Sequence, residues 1–206
     1  MKYFILIIIL LLQIDGFSQS EGGNMVDEMS FDSTLVLDIR YASENNFLNR
    51  KVYDIEACYL QKETAARLAS VQLQLIKKGY RLIIFDAYRP RHIQYEMWRL
   101  VPDPRYVADP AKGSNHNRGC AVDVSLLTKD GAPVSMPTDF DDLSEKAYHS
   151  YNNLTKEVIT NRKILKNAMI SEGFIPLETE WWHYSDPECY KYPLLNITLS
   201  DLKYRK

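Results

Sequence analysis

One segment limits the fold of this chain more than any other. From Gly119 to Leu127, Cys120, Val122, Val124 and Leu126 alternate with Ala121, Asp123 and Ser125. A period of two marks a β-strand with one apolar face set on a core. Asp123 stands on the other face, so it points away from the core that Val122 and Val124 join, or else into a polar cleft. His116 lies in the loop just before this strand, and Gly119 lets the chain turn sharply between the two.

Around this strand the pattern is mixed. Thr34 to Ile39 is β-rich and reads as a strand. Lys62 to Lys78 carries Ala65, Leu68, Val71, Leu73 and Leu75 and ends at Gly79, which predicts an amphipathic helix. Arg81 to Phe85 is a short buried strand, and Pro90 suits the first residue of a helix reaching about Leu100. Pro102 to Ser114 is loop. Lys129 to Ala132 is a turn after which Val134 to Met136 returns as a partner strand. A helix runs from about Thr160 to Ser171 on Ile164, Leu165, Ala168 and Met169, stopping at Gly173. Phe174 to Leu177 and Trp181 to Ser185 read as short strands. Without regular βαβ alternation, the fold class is α+β.

The first residues point to export. Lys2 precedes an unbroken apolar run, Tyr3 to Leu12, which polar and small residues then end. Such a run is too short for a bilayer, which needs roughly 20 apolar residues. The pattern is that of a cleavable signal over residues 1–19, with 20–206 as one exported domain and no membrane attachment after cleavage. A formal net charge of −2 gives no reason to expect nucleic acid or an anionic membrane as partner, and it suits a small-molecule substrate. Of the three cysteines, Cys58, Cys120 and Cys189, the plain reading is small buried hydrophobes. A Cys58–Cys189 bridge is left open.

Two of four histidines sit among other reactive side chains. One segment is Ser114-Asn-His116-Asn-Arg-Gly119, leading to Asp123; the other is Glu180-Trp-Trp-His183-Tyr. Two imidazoles and a carboxylate would give zinc three protein ligands and leave a fourth position for water, the pattern of a catalytic site. From spacing alone a satisfied histidine is the commoner fate. Residues three apart in a strand face opposite ways, so a shared site requires Glu180 to precede the strand, or the strand to bend. In Phe85-Asp86-Ala-Tyr88-Arg89-Pro90, Arg89 either fastens the turn to Asp86 or aims its charge at a developing oxyanion. His92 and His149 are assigned no chemistry. Trp181 and Trp182 read as core or pocket wall.

Taken together, Ser-x-His-x-x-Gly-x-Ala-x-Asp, Glu-x-x-His, Asp-x-Tyr-Arg-Pro and Phe140-Asp141-x-x-Ser144 resemble the D-alanyl-D-alanine dipeptidases. These form the VanX-like branch of a wider family of zinc D,D-carboxypeptidases, peptidoglycan endopeptidases and the hedgehog signalling domain. The similarity runs from Asp38-Ile-Arg-Tyr41-Ala to the Glu180 segment. It implies a small, mainly antiparallel sheet flanked by helices, and one Zn2+ held by His116, Asp123 and His183. It also implies Glu180 as the catalytic carboxylate, Arg89 steadying the transition state, and Tyr41, Ser114 and Asp141 beside a D,D-dipeptide substrate. Cutting peptidoglycan stems is the alternative activity, and a zinc-bearing binding domain the non-enzymatic one. The stretch from Pro90 to Ser114 looks shorter than in vancomycin-resistance members, which bears on how closed the pocket is.

Overall fold

The structure is a computed structural model, and it describes residues 24–104 and 106–204. The export signal expected over residues 1–19 lies outside the described residues.

In chain order the elements are β1 (Met25–Asp27), α1 (Glu28–Phe31), β2 (Val36–Leu37), β3 (Tyr59–Gln61), α2 (Lys62–Lys77) and β4 (Tyr80–Asp86). There follow α3 (Arg91–Leu100), β5 (Ala121–Thr128), α4 (Lys156–Ser171), β6 (Ile175–Pro176), β7 (His183–Ser185) and α5 (Leu199–Tyr204). A five-stranded sheet runs β2-β4-β5-β7-β6, and β1 pairs with β3 separately. Every pairing is antiparallel except β2 with β4. The fold is α+β, with a mainly antiparallel sheet and helices against it.

β5 lies at the centre because it can be buried on both faces. Its Val122, Val124 and Leu126 join the core with Leu68, Val71 and Leu75 of α2. Each such side chain, fully buried, contributes about 1.5–3 kcal/mol. α2 packs against β4 and against α4, which also touches β5 and β6. Leu73 departs from the expected apolar stripe and is 57% exposed, because a 3.6-residue period places it outside the arc of Leu68, Val71 and Leu75. Gly79, at φ +83°, takes the left-handed conformation that ends this helix.

Several expected boundaries move. The first expected strand shrinks to Val36–Leu37, held parallel to Ile83–Ile84. Pro90 caps α3 instead of starting it. α4 begins four residues early, where Thr155 Oγ1 accepts from Val158 N at 3.3 Å, a side-chain cap that offsets a polar first turn. Val134 to Met136 forms no strand. Only a bridge between Leu127 and Pro133 and the bond from Val134 N to Leu126 O remain, since Pro133 has no N–H to continue a ladder.

The cysteines need a correction. Cys120 is bonded to Cys189, and Cys58 is the buried free thiol. Strand register explains the pairing. Ala121 lies opposite Ser185, and Asp186 N donates to Cys120 O at 2.8 Å, so the chain leaving β7 turns back beside Cys120.

Candidate active site

Three strands deliver the centre of the site. Asp123 on β5 has His183, the first residue of β7, as its partner on one side and Asp86 of β4 on the other. The second pairing depends on a bulge. Ile84 faces Val124, but Asp86 rather than Phe85 faces Asp123. An extra residue in one strand re-aims the side chains that follow it, here exchanging a phenylalanine for a carboxylate beside Asp123.

His116 arrives from the other direction, in a single 3₁₀ turn, His116–Arg118, that Gly119 ends at φ +70°. A Cβ at Gly119 would come within 2.5 Å of Met25 Sδ, so both conformation and space call for glycine. The turn is stitched to the end of β4. His116 Nδ1 donates to Ala87 O at 2.7 Å, Arg89 N donates to His116 O at 3.0 Å, and Asn117 Nδ2 donates to Arg89 O at 2.9 Å.

That first bond decides the chemistry of the ring. A carbonyl only accepts, so Nδ1 carries the hydrogen, and in the neutral ring Nε2 is a bare lone pair. Nε2 lies 3.1 Å from His183 Nδ1 and 3.4 Å from an Asp123 oxygen, while His183 Nδ1 lies 3.0 Å from the other Asp123 oxygen. The far nitrogen of His183, Nε2, is 3.1 Å from Ser185 Oγ, which also accepts from Asn115 Nδ2 at 3.0 Å. Three electron-rich atoms therefore converge in a buried place that calls for positive charge. Burial disfavours a charged His116, yet Asp123 and Asp86 outweigh it and raise the pKa of the ring. Burial likewise opposes the Asp123 charge, and His116 and His183 outweigh that, holding the carboxyl well below its usual range.

A metal cation answers the same demand as a proton. Tetrahedral coordination with bonds of about 2.0–2.2 Å sets donors about 3.3–3.6 Å apart, which is the donor set and nearly the spacing found here. The residues fit a zinc-like ion.

The other expected residues stand around this centre. Glu180 precedes β7, in the turn held by its N–H to Leu177 O at 3.0 Å, which resolves the parity difficulty. Its carboxylate is 3.9 Å from His183 Nδ1 and its side chain 22% exposed. Burial pushes its pKa up, and Asp123 adds to that against His183. Arg89 fastens the turn to Asp86. Its Nε and Nη2 grip Asp86 Oδ2 at 3.2 and 2.7 Å, and Nη1 donates to Gln94 Oε1 at 2.9 Å, yet Arg89 still lines the cavity. Tyr41 OH donates to Asp141 Oδ2 at 3.0 Å, with Asp141 in the left-handed region at φ 62°. Burial, with Asp123 nearby, pushes the Asp141 carboxyl up to about 8. Ser114 Oγ accepts from His116 N at 3.2 Å. All eight side chains line one cavity of about 700 Å³.

Sequence reading overlooked three supports. Ser185 carries no signal beyond its place two residues after His183. Tyr53, donating to Asp86 Oδ1 at 2.6 Å, lies far from any motif, and Gln94, on α3, stands four residues past Pro90 with nothing in the pattern to mark it. Asp86 was noticed only as a partner for Arg89. Buried at 0% exposure, it accepts from Tyr53, Ala87 N and Arg89.

The Peptidase_M15 model, described as D-ala-D-ala dipeptidase, matches residues 20–200. A D-alanyl-D-alanine dipeptidase of Escherichia coli K12 is 33% identical over 177 residues, 85% of this chain and 91% of that protein. One of Enterococcus faecalis V583 is 29% identical over 168 residues, 71% of this chain and 83% of that protein. Among solved structures, the LD-carboxypeptidase LdcB overlaps loosely, with TM-score 0.45 and 18% identity over 84% of this chain and 73% of that one; nothing below rests on it. With the match covering nearly the whole described chain, this protein belongs to the D-Ala-D-Ala dipeptidase family of peptidases.

Proposed function

We propose that the chain hydrolyses the free dipeptide D-alanyl-D-alanine to two D-alanines, with one zinc ion held by His116 Nε2, Asp123 and His183 Nδ1. The observation that carries this is the convergence of three donor atoms beside a half-buried carboxylate, Glu180, in one cavity. Bound there, zinc supplies Lewis acidity, polarising a carbonyl and bringing the pKa of a water toward neutrality.

The chain's own groups do the rest. Glu180 takes the proton of the attacking water and returns it to the departing amine, a role suited to a carboxyl raised by burial. Arg89 offers the oxygen that gains charge the N–H groups left over from Asp86 and Gln94. Because Asp86 grips it from behind, the guanidinium is oriented before substrate arrives. Tyr41, Asp141, Ser114 and Arg118 line the cavity and are polar groups available to the two ends of the dipeptide. Trp182, 1% exposed, walls the cavity against water. Ser185 and Asn115 hold the far nitrogen of His183, leaving Nδ1 for the metal.

The same reading places the protein outside the cytoplasm, with residues 1–19 as a cleaved signal and 20–206 as the enzyme. The Cys120–Cys189 disulfide supports this, since such bonds persist in oxidising compartments. Among the described residues no helix is long and apolar enough to cross a membrane.

The test is turnover of D-Ala-D-Ala before and after chelation, with zinc added back. Loss on chelation and recovery with zinc is expected. Full turnover in metal-free protein would remove the metal from the reading, and no turnover in zinc-loaded protein would remove the substrate.

A further inference from the structure

Two walls of the cleft are distant in the chain. One is the 113–120 loop that carries His116; the other is the chain leaving β7. Ser114, Asn115 and Arg118 line the cavity from the first, and Ser185, Cys189 and Tyr190 from the second. Asn115 is where the walls meet. Its carbonyl accepts from Arg118 N at 3.0 Å and from Cys120 N at 3.3 Å, closing the turn around His116. Its side chain donates to Ser185 Oγ at 3.0 Å, the hydroxyl that meets His183 Nε2.

The Cys120–Cys189 bond closes this ring of contacts covalently. Cys120 ends the first wall, and Cys189 opens the short 3₁₀ turn Cys189–Lys191 in the second. Hydrogen bonds also cross the seam: Asp186 N to Cys120 O at 2.8 Å, Arg118 Nη1 to Tyr192 O, and Leu195 N to Asn117 O at 2.8 Å. Water competes for the partners of a hydrogen bond, but it does not replace a disulfide. The fold does not depend on this pin alone. Thr64 and Arg67 of α2 hold Asp186 Oδ2, each at 3.2 Å, so the second wall stays anchored when the bond opens. Cys189 lines the cleft, which exposes the bond to a small reductant, whereas Cys58 is fully buried elsewhere.

We infer that the Cys120–Cys189 disulfide is a positioning element of the metal site, setting His116 against His183, so that its reduction loosens bound zinc. This rests on the proposed zinc binding and adds a redox control to it. A phosphine serves as the reductant because a dithiol would itself compete for zinc. The S–S bond breaks and two thiols form with hydrogens from one water. The phosphorus is oxidised to the phosphine oxide, which keeps the water oxygen.

Zinc affinity of the full chain is measured by competition with a chromophoric chelator. The samples are oxidised wild type, wild type reduced with a phosphine that is then removed, and the double variant Cys120→Ala with Cys189→Ala, which has no thiol there to bind metal. Reduction and the double variant should each weaken zinc binding about tenfold, while Cys58→Ala leaves it as it was. A bond that only stabilises the fold would lower the melting temperature and leave zinc affinity alone. Ser185→Ala should cost less affinity in the double variant than in wild type, because both changes act on His183. Equal zinc affinity in oxidised wild type and a double variant folded by circular dichroism overturns the inference, as do fully additive losses. Should oxidised wild type bind no zinc, the metal reading falls, and hydrogen exchange of the metal-free proteins still decides about the pin. Faster exchange at residues 114–120 in the double variant, with α2 unchanged, upholds it, and equal exchange ends it.

Discussion

Two regions bury carboxylates completely and treat them in opposite ways. At the floor of the cleft Asp86 is 0% exposed and surrounded by donors from Tyr53, Ala87 and Arg89. Where β1 runs into α1, Glu28 is also 0% exposed, yet neither of its oxygens has a hydrogen-bond partner among the described residues. The buried side-chain oxygen of Gln61 is without one there too, and Cys58 lies nearby as a free thiol. Burial, with Asp32 and Asp27 adding, pushes the Glu28 carboxyl up to about 9. Burial alone does not say how a carboxyl group is held; its partners do, and the cleft has been given them while the corner has not.

The largest effect is expected at Glu180. Glu180→Gln should lower kcat by about 10²–10⁴ while bound zinc, counted by elemental analysis, stays at one per chain. Unchanged turnover would show that the raised carboxyl in the cleft is a bystander.

Asp86→Ala tests whether the charge is held in place by its partners. It leaves Arg89 buried without its counter-ion, which typically costs about 3–5 kcal/mol. The denaturant midpoint should fall with the slope unchanged. A midpoint within error of wild type would mean that water replaces the carboxylate at no cost.

Glu28 sharpens the opposite half. Its folded pKa lies above the unfolded one, so its contribution to stability is complete below about 4.5 and is lost as pH rises toward 9. Within that window wild type should lose up to about 1.4 kcal/mol per pH unit, and Glu28→Gln should flatten the profile measured by thermal melting from pH 5 to 8.5. Parallel profiles would place a partner on Glu28 that the comparison denies.

The smallest effect concerns Ser185. Ser185→Ala frees His183 Nε2 and should weaken zinc binding about 10–100-fold, read by competition with a chromophoric chelator. Ser185→Thr keeps the hydroxyl and should restore most of it. Equal affinities in all three proteins would leave the orientation of His183 to its strand alone.

Local chemistry was legible because it is local. The alternation about Asp123, the helical spacing of Leu68, Val71 and Leu75, and the glycines ending turns depend on a few neighbouring residues. The motif residues around His116 and His183 named the donors, and strand parity required that Glu180, to share their site, stand ahead of the strand or that the strand bend; Glu180 stands ahead of β7. What could not be read were partners distant in the chain. Tyr53 reaches Asp86 across 33 positions, and Cys120 meets Cys189 across 69. Neither spacing nor polarity marks such pairs in advance. The early start of α4 was missed for a different reason: a threonine cap outweighs a polar first turn.

The sequence alone therefore marked the motif segments around His116, Asp123 and His183, the strand on which Asp123 stands, and a fold that mixes helices with a buried central strand. Tertiary structure alone decided that Asp86 rather than Phe85 lies beside Asp123, and which cysteines join. The physical reason is register. A one-residue bulge in β4 turns a different side chain toward the site, and its position is set by hydrogen bonds and packing between strands that the linear order keeps apart.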